Sequence, residues 1–252
     1  MTPGRKLLIG LALAAVLQSG CGDDDARAPA ERPRGQQTPA ATPSPSPTPP
    51  PAPRARSVRF RAPDGEPVVA SYTAAGNDAP AVVLLHEIRG GPDQWAPLIP
   101  YLHAAGFATL AYKSRASALE LERLPDLVAA VRWLRARDDV DRDRLALAGA
   151  SIGASTAVLA MATGAGRSVD AAVALSPPDS GDIWALQDDD RYRPHDLLLV
   201  SDESESASAD SMLDGAVRSR AMRSAGPGHG VALLGEAGVR DALLAWLDDR
   251  VR

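Results

Sequence analysis

The stretch RLALAGASIGAS, residues 144–155, decides the fold of this chain. A run of apolar residues ends in GASIG and passes at once into small residues, which predicts a buried strand, a very tight turn and a helix. Ser151 would stand on that turn in a strained backbone conformation, and a Cβ at Gly149 or Gly153 would collide with the neighbouring strand and helix. The hydroxyl would lie above a helix N-terminus, whose free N–H groups can stabilise a developing negative charge. The sequence therefore predicts that Ser151 is a nucleophile.

The first 20 residues have the pattern of a secretory signal peptide. Two basic residues precede an apolar run at 7–17, which is too short to span a bilayer. Cys21 follows directly and is the only cysteine, so no intrachain disulfide can form. Its position after two small residues resembles a bacterial lipobox, which implies a lipid on Cys21 and a protein anchored in the cell envelope, outside the cytoplasm. Gln18 stands where lipoboxes have an aliphatic residue, so ordinary secretion is the alternative.

Residues 21–56 show no apolar periodicity, and half of the chain's 22 prolines lie before residue 54. Such a segment cannot bury enough apolar surface to fold, and it favours extended polyproline geometry. We expect a disordered tether that starts at Cys21 and reaches roughly 100 Å at about 3.1 Å per residue. A ligand for SH3-type domains is the alternative, although such domains have little place outside the cytoplasm.

Residues 57–252 remain for one globular domain, which is long enough for a sizeable core. The whole chain has a formal net charge of −5, with both signs mixed along it, and contains 4% aromatic residues. It therefore lacks the basic stripe of a nucleic-acid-binding protein. The acidic runs at 138–139 and 188–190 have no partnering histidine cluster, so we expect solvated turns there rather than metal sites. The sequence predicts no metal and no organic cofactor.

Within this domain, apolar segments of strand length alternate with segments of helical period. Besides the strand and helix around Ser151, strands are predicted at 58–60, 68–72, 81–85, 107–112, 169–175 and 197–200, and helices at 95–102, 124–134 and 239–251. This alternation predicts a mostly parallel sheet that helices cover on both faces, with the active site at the carboxyl ends of the strands. The connection between residues 175 and 197 is too short for a large cap domain, so the site is expected to be open.

Three motifs of the chain stand in the order in which the α/β-hydrolase superfamily has them. They are LLHEIRG at 84–90, VDRDRLALAGASIG at 140–153 and GHG at 228–230. They most resemble the dienelactone-hydrolase-like esterases, and the resemblance extends over nearly all of 57–252. It implies the α/β-hydrolase fold and an ester-cleaving serine hydrolase. Dienelactone hydrolase itself has a cysteine nucleophile, whereas this chain has Ser151, which moves the expected substrates from dienelactone toward ordinary esters.

A serine hydroxyl is a poor nucleophile at neutral pH and needs a base. Of the four histidines in the chain, His229 lies between two glycines in the last loop of the domain. The resembled family keeps its base there, so we predict that His229 serves Ser151; the alternative is a surface-loop histidine. His86 ends a buried strand and is expected to hold its loop by hydrogen bonding. His103 and His195 are expected to be structural.

The carboxylate that orients the base follows a late strand in the resembled family, roughly as Gly-x-x-Asp. This register puts Ser204 at the acid position, and a serine cannot do that task. Asp202 and Glu205 flank it, and either could reach His229 after a small adjustment of the loop. Asp179, after the preceding strand, is a less favoured substitute. The sequence leaves the choice between Asp202 and Glu205 open.

The oxyanion hole is expected to consist of two backbone N–H groups, those of Ile152 and Ile88. Each such donor stabilises a transition state by about 3 kcal/mol. The resemblance implies that the carboxylate of Glu87 lies in the active site. A salt bridge from Glu87 to Arg89 or Arg115 is the alternative, and the sequence favours neither.

Together these patterns predict an envelope-anchored serine esterase that cleaves small carboxylic esters through an acyl-enzyme. Its expected partners are a small ester and, through the lipid on Cys21, a membrane; no nucleic acid is expected, and the oligomeric state stays open. The alternative from another class is a catalytically degenerate lipoprotein that uses the fold as a binding or scaffold module, and the irregular loop at 201–208 favours it. A peptidase of the same fold is a third option, although such enzymes normally carry a cap or propeller.

Overall fold

The computed structural model describes residues 50–51, 53–187 and 192–251. The predicted signal peptide, the lipidation site Cys21, the tether up to residue 49 and the acidic run 188–190 lie outside the described residues. Among the described residues, no helix combines the length and the apolarity needed to cross a bilayer.

One sheet of eight strands forms the centre of the described chain, in the order β1-β2-β4-β3-β5-β6-β7-β8. The first two strands form an antiparallel hairpin, β2 pairs antiparallel with β4, and all further pairs are parallel. The strands are β1 (Arg56–Arg61), β2 (Pro67–Thr73), β3 (Ala79–Leu85), β4 (Ala108–Lys113), β5 (Val140–Ala150), β6 (Ala171–Leu175), β7 (Leu197–Ser201) and β8 (Arg220–Arg223).

Helices cover both faces of this sheet. They are α1 (Ile99–Ala104), α2 (Glu120–Arg135), α3 (Ile152–Thr163), α4 (Gly181–Gln187), α5 (Ser206–Ser211) and α6 (Ala237–Val251). Alternate residues of a strand point to opposite faces. In β3, Val83 and Leu85 join the core against α2 and α3, whereas Val82 and Leu84 join the core against α1 and α6. The predicted mostly parallel sheet with helices on both faces is confirmed.

The single helix predicted at 95–102 is wrong, because the structure has two separate elements there. A 3-10 turn spans Pro92–Trp95, and α1 begins only at Ile99. Pro97 lies between them and lacks the N–H that would continue a helix, whereas Pro100 occupies the first turn of α1, where no N–H is needed. Trp95 is still fully buried, so the segment contributes its apolar residues to the core as expected.

Candidate active site

Ser151 stands between β5 and α3 with a backbone φ of 53° and ψ of −125°. A positive φ at a residue with a side chain costs on the order of 1–3 kcal/mol and persists only where the surroundings enforce it. Here the Ser151 N–H donates to the carbonyl of Leu175 at 2.9 Å, and its own carbonyl accepts from Ala154 at 2.8 Å and Ser155 at 3.1 Å. The strained turn predicted from the sequence is present.

The glycines on either side of Ser151 are required by close backbone packing. A Cβ on Gly149 would lie less than 3.0 Å from the backbone of Gly153, and a Cβ on Gly153 would lie equally close to the carbonyl of Leu85. The predicted collisions are therefore confirmed. They also show that the start of α3 packs directly on the end of β3.

We expect Gly153→Ala to lower the free energy of unfolding by about 3 kcal/mol, because overpacking against backbone atoms cannot be relieved by a rotamer change. Gly181→Ala is the matched control, since a Cβ there has no atom within 4 Å. We expect the control to change stability by about 0.5 kcal/mol or less. Urea unfolding of both variants measures the difference, and equal stabilities would contradict this view of the turn.

Two backbone N–H groups at the carboxyl ends of β3 and β5 have no acceptor among the described residues. One belongs to Ile152 at the start of α3, where the helix itself offers no partner. The other belongs to Ile88 in the loop after β3. Two other N–H groups of this loop are paired: that of Glu87 donates to Gln94 Oε1 at 3.2 Å, and that of Gly90 donates to the Glu87 carbonyl at 3.0 Å. Because α3 packs on the end of β3, both free N–H groups lie at the same edge of the sheet.

His86 holds the loop that carries Ile88. Its Nδ1 donates to the carbonyl of Glu87 at 2.6 Å, and its Nε2 accepts from the backbone N–H of Ser114 at 3.1 Å. The side chain is buried, and burial lowers the pKa of the imidazole. The expected loop-holding role of His86 is confirmed, and the ring is neutral in the fold.

The lowered pKa of His86 predicts a loss of stability in mild acid. As the pH falls below about 6.5, the unfolded chain binds a proton at this residue that the folded chain excludes. The free energy of unfolding should therefore fall between about pH 7.5 and pH 5.5. Glutamine at position 86 cannot titrate, so the free energy of unfolding of His86→Gln should fall less steeply over this range. At pH 7.5 it should already be about 1–3 kcal/mol lower than that of the wild type, because the loop loses a hydrogen-bond partner. Urea unfolding of both proteins at each pH measures this fall in the free energy of unfolding. An equal fall in both proteins would contradict the lowered pKa of His86.

His229 directly precedes a 3-10 turn, Gly230–Gly235, that packs on β5 and β6. Its Nδ1 donates to Glu205 Oε1 at 2.6 Å. Glu205 ends the short 3-10 turn Glu203–Glu205 after β7. Of the two carboxylates that the sequence left open, Glu205 is the one that the structure places on the ring.

Asp202 does not contact His229 but holds the turn that carries Glu205. One carboxylate oxygen accepts from the Ser204 hydroxyl at 2.6 Å and from the Glu205 N–H at 3.2 Å. The other accepts from the N–H of Gly228, directly before His229, at 3.2 Å. The Ser204 hydroxyl, followed by the Gly228 N–H, lowers the pKa of the Asp202 carboxyl. Asp202 therefore links the loop of Glu205 to the loop of His229.

Glu87 forms neither of the salt bridges considered from the sequence. Its Oε1 accepts from the N–H of Val231 at 2.8 Å, and its Oε2 accepts from Gln94 at 3.3 Å. Arg115 pairs instead with Asp126 and Asp64, and Arg89 has no ion pair with a described residue. Glu87 thus fastens the loop of His229 to the loop of Ile88.

Ser151 Oγ makes no hydrogen bond with any described residue, and His229 makes its only side-chain hydrogen bond within the described chain to Glu205. Catalytic hydrogen bonds are often long without substrate and tighten in the complex. Because the N–H of Val231, two residues after His229, donates to Glu87 directly after β3, the loop of His229 lies at the same sheet edge as Ser151. Among the described residues, no group of three or more His, Cys, Asp or Glu side chains could hold a metal ion.

Sequence reasoning missed a buried cation behind the Ile88 loop. Arg123 is 3% exposed, and its Nε donates to the Ser114 hydroxyl at 3.1 Å. That hydroxyl lies 3.1 Å from His86 Nε2. The helical spacing could have indicated its burial, because Arg123 stands four residues before Leu127 and eight before Val131, on the apolar face of α2.

A sequence profile of the prolyl oligopeptidase family matches residues 113–196, a third of the chain that includes Ser151. The match ends before Glu205 and His229, so of the three candidate catalytic residues it covers Ser151 alone. The chain has no significant match among the sequences of curated proteins.

Several solved structures share the arrangement of the described chain. An esterase of Pyrococcus furiosus is 17% identical, with a TM-score of 0.63 over 79% of this chain and 94% of the esterase. A dienelactone hydrolase from Anabaena variabilis is 19% identical, with a TM-score of 0.63 over 79% of this chain and 99% of that one. A thermostable carboxylesterase from a metagenomic library is 18% identical, with a TM-score of 0.61 over 79% and 88%. The chain has the α/β-hydrolase fold, as the motifs predicted.

Proposed function

We propose that this chain, an α/β-hydrolase by fold, is a serine esterase that cleaves small carboxylic esters through an acyl-enzyme. The main supporting observation is the strained turn that presents Ser151 at the sheet edge where the N–H groups of Ile152 and Ile88 have no acceptor among the described residues. The His229–Glu205 pair at the same sheet edge supplies a base with its orienting carboxylate. The esterases among the structural neighbours support the same activity.

In the proposed reaction, Ser151 Oγ attacks the ester carbonyl while Nε2 of His229 takes the hydroxyl proton. The N–H groups of Ile88 and Ile152 bind the oxygen that becomes negative, and Glu205 stabilises the imidazolium through Nδ1. Collapse of the tetrahedral species breaks the ester C–O bond, and the alcohol leaves with the proton from His229. Water then attacks the acyl-enzyme with His229 again as base, which releases the acid and restores Ser151.

The short connection between β6 and β7 favours small substrates. Between β6 and β7, the described residues contain one helix, the seven-residue α4. Nothing among the described residues forms a large cap that would enclose a long acyl chain. We therefore propose esters with short acyl groups rather than long-chain lipids.

A second candidate function is peptide-bond hydrolysis, which the match to the prolyl oligopeptidase family favours. The same serine, base and oxyanion hole would serve both reactions, since both pass through an acyl-enzyme. The binding or scaffold alternative is weakened, because the irregular loop that favoured it carries Glu205 onto His229.

Hydrolysis of matched chromogenic substrates tests these candidates. The full chain should cleave 4-nitrophenyl acetate and butyrate with kcat/KM at least about tenfold above that for the decanoate, and it should leave peptidyl 4-nitroanilides nearly intact. Efficient nitroanilide cleavage would replace the esterase proposal with the peptidase. No turnover of any of them by the folded protein would instead favour the binding module.

We also propose that Cys21 carries a lipid that anchors the protein in a bacterial envelope, outside the cytoplasm. The support is the sequence pattern around Cys21 and the proline-rich segment that follows it. In bacteria fed a radiolabelled fatty acid, we expect the protein to take up label and to sediment with membranes. Cys21→Ala should be unlabelled and soluble. Equal labelling of both proteins would contradict the anchor, and secretion of an unlabelled wild-type protein would favour ordinary export.

A further inference from the structure

A cavity of about 280 Å³ opens at the carboxyl ends of β3 and β4. Its walls come from the Ile88 loop, from the segment after β4 and from Arg123 of α2. Four of the lining residues are cations, Arg89, Lys113, Arg115 and Arg123, and none is a carboxylate. For a chain with a net charge of −5, this is a local concentration of positive charge.

Three of these cations have no described carboxylate as an ion-pair partner. Lys113 Nζ donates to the carbonyl of Gly90, and Arg123 donates through Nε and Nη2 to the Ser114 hydroxyl. Arg89 makes no ion pair with a described residue. Arg115 differs, because Asp126 and Asp64 neutralise it.

Arg123 is the most informative of the three because it is buried. Arginine is almost never fully buried unless it is paired, since desolvation of an unpaired charge is costly. Arg123 is 3% exposed, and its burial lowers the pKa of the guanidinium despite the nearby carboxylates of Glu120 and Asp126. Neither carboxylate forms an ion pair with it, and the Ser114 hydroxyl is its side-chain acceptor among the described residues. An anion in the cavity that Arg123 lines would supply the missing partner.

The cavity adjoins the proposed reaction centre through Ile88. Ile88 lines the cavity, and its N–H is one of the two proposed oxyanion donors. His86, which holds the same loop, also lines the cavity. An ester whose carbonyl oxygen lies at Ile88 can therefore extend one of its two groups into the cavity.

We propose that this cavity binds an anionic group, a carboxylate or a phosphate, carried by the substrate a few bonds from the scissile carbonyl. Arg123 contacts the anion from the buried end, and Lys113 and Arg89 contact it from the exposed end. The proposal rests on the proposed function and narrows its substrates to acidic esters. Guanidinium groups bind both anions in the same bidentate manner, so the chemistry of the site is shared.

The test compares two esters that differ in one charge, 4-nitrophenyl hydrogen glutarate and its methyl ester. We expect the full chain to favour the acid by at least about tenfold in kcat/KM, with the preference falling as salt rises. Lys113→Met, Arg89→Met and Arg123→Met should each reduce the ratio. Arg142→Met, a change at an exposed cation near the opposite end of β5, is the matched control and should leave the ratio unchanged.

A binding experiment separates this proposal from the esterase proposal. Glutarate and inorganic phosphate are titrated calorimetrically into Ser151→Ala and into Ser151→Ala combined with Lys113→Met. Binding that the second change weakens supports the anion site even if no ester is cleaved, and the tighter of the two ions identifies the anion. Equal turnover of both esters without binding of either ion overturns the proposal and leaves the esterase in place. If Arg123→Met does not fold, the variants Lys113→Met and Arg89→Met, which change exposed residues, still test the proposal.

Discussion

Replacing Ser151 by alanine is expected to lower kcat for a short-chain ester by about 10⁶-fold, because loss of the nucleophile leaves only binding and the oxyanion hole. The fold should persist, since the backbone contacts that hold the turn do not involve the hydroxyl. Steady-state hydrolysis of 4-nitrophenyl acetate measures the effect.

Ser155→Ala is the matched control for that experiment. Ser155 lies one turn further along α3 and is fully buried, and its hydroxyl donates to the carbonyl of Pro178 at 3.4 Å. We expect this variant to retain activity within a few-fold of the wild type. Comparable losses in both variants would show that Ser151 acts through the structure of α3 and not as a nucleophile.

Glu205→Gln is expected to lower kcat/KM by up to about 10⁴-fold, because an amide neither fixes the required tautomer of His229 nor stabilises its imidazolium. Asp202→Asn is the matched isosteric change in the same loop. It should cost about tenfold or less, because Asp202 contacts the backbone beside the base and not the ring. The ratio of the two losses, measured with one ester, is the observable.

The opposite ranking would contradict this assignment. If Asp202→Asn were the more damaging change, Asp202 would be the orienting acid in the working enzyme. Equal, small losses in both variants would indicate that no carboxylate completes the triad, as the degenerate binding module requires.

The turn at Ser151 could be predicted because its causes are local. Five consecutive residues contain Ser151 and both glycines, and the tight packing follows from the strand-to-helix turn itself. The alternation of strands and helices likewise predicted the sheet, since each buried strand carries its own apolar signal.

The acid could not be chosen from the sequence because its position depends on how one loop folds. Residues 203–205 form a 3-10 turn capped by Asp202, and this turn brings Glu205 onto a ring 24 residues further along the chain. The spacing of the resembled family, counted along an extended loop, puts Ser204 at the acid position instead. This turn depends on the hydrogen bonds that the Asp202 carboxylate accepts from its own loop and from the loop of His229.

Two other features escaped prediction for related reasons. The edge strand β8 reads Arg-Ala-Met-Arg and is at most half-buried, so it carries no apolar alternation. The cationic cavity joins residues from the β3 and β4 loops with Arg123 of α2, and only the folded chain places them together. Glu87 shows the same limit, because its partner Val231 lies 144 residues away.

The most direct test of the central claim is labelling of the full chain with a fluorophosphonate, which reacts with activated serines. Ser151→Ala and His229→Ala are labelled beside it. We predict rapid stoichiometric labelling of the wild-type protein at Ser151 and its loss in both variants. A folded wild-type protein that remains unlabelled would contradict the account and leave the binding module as the better description.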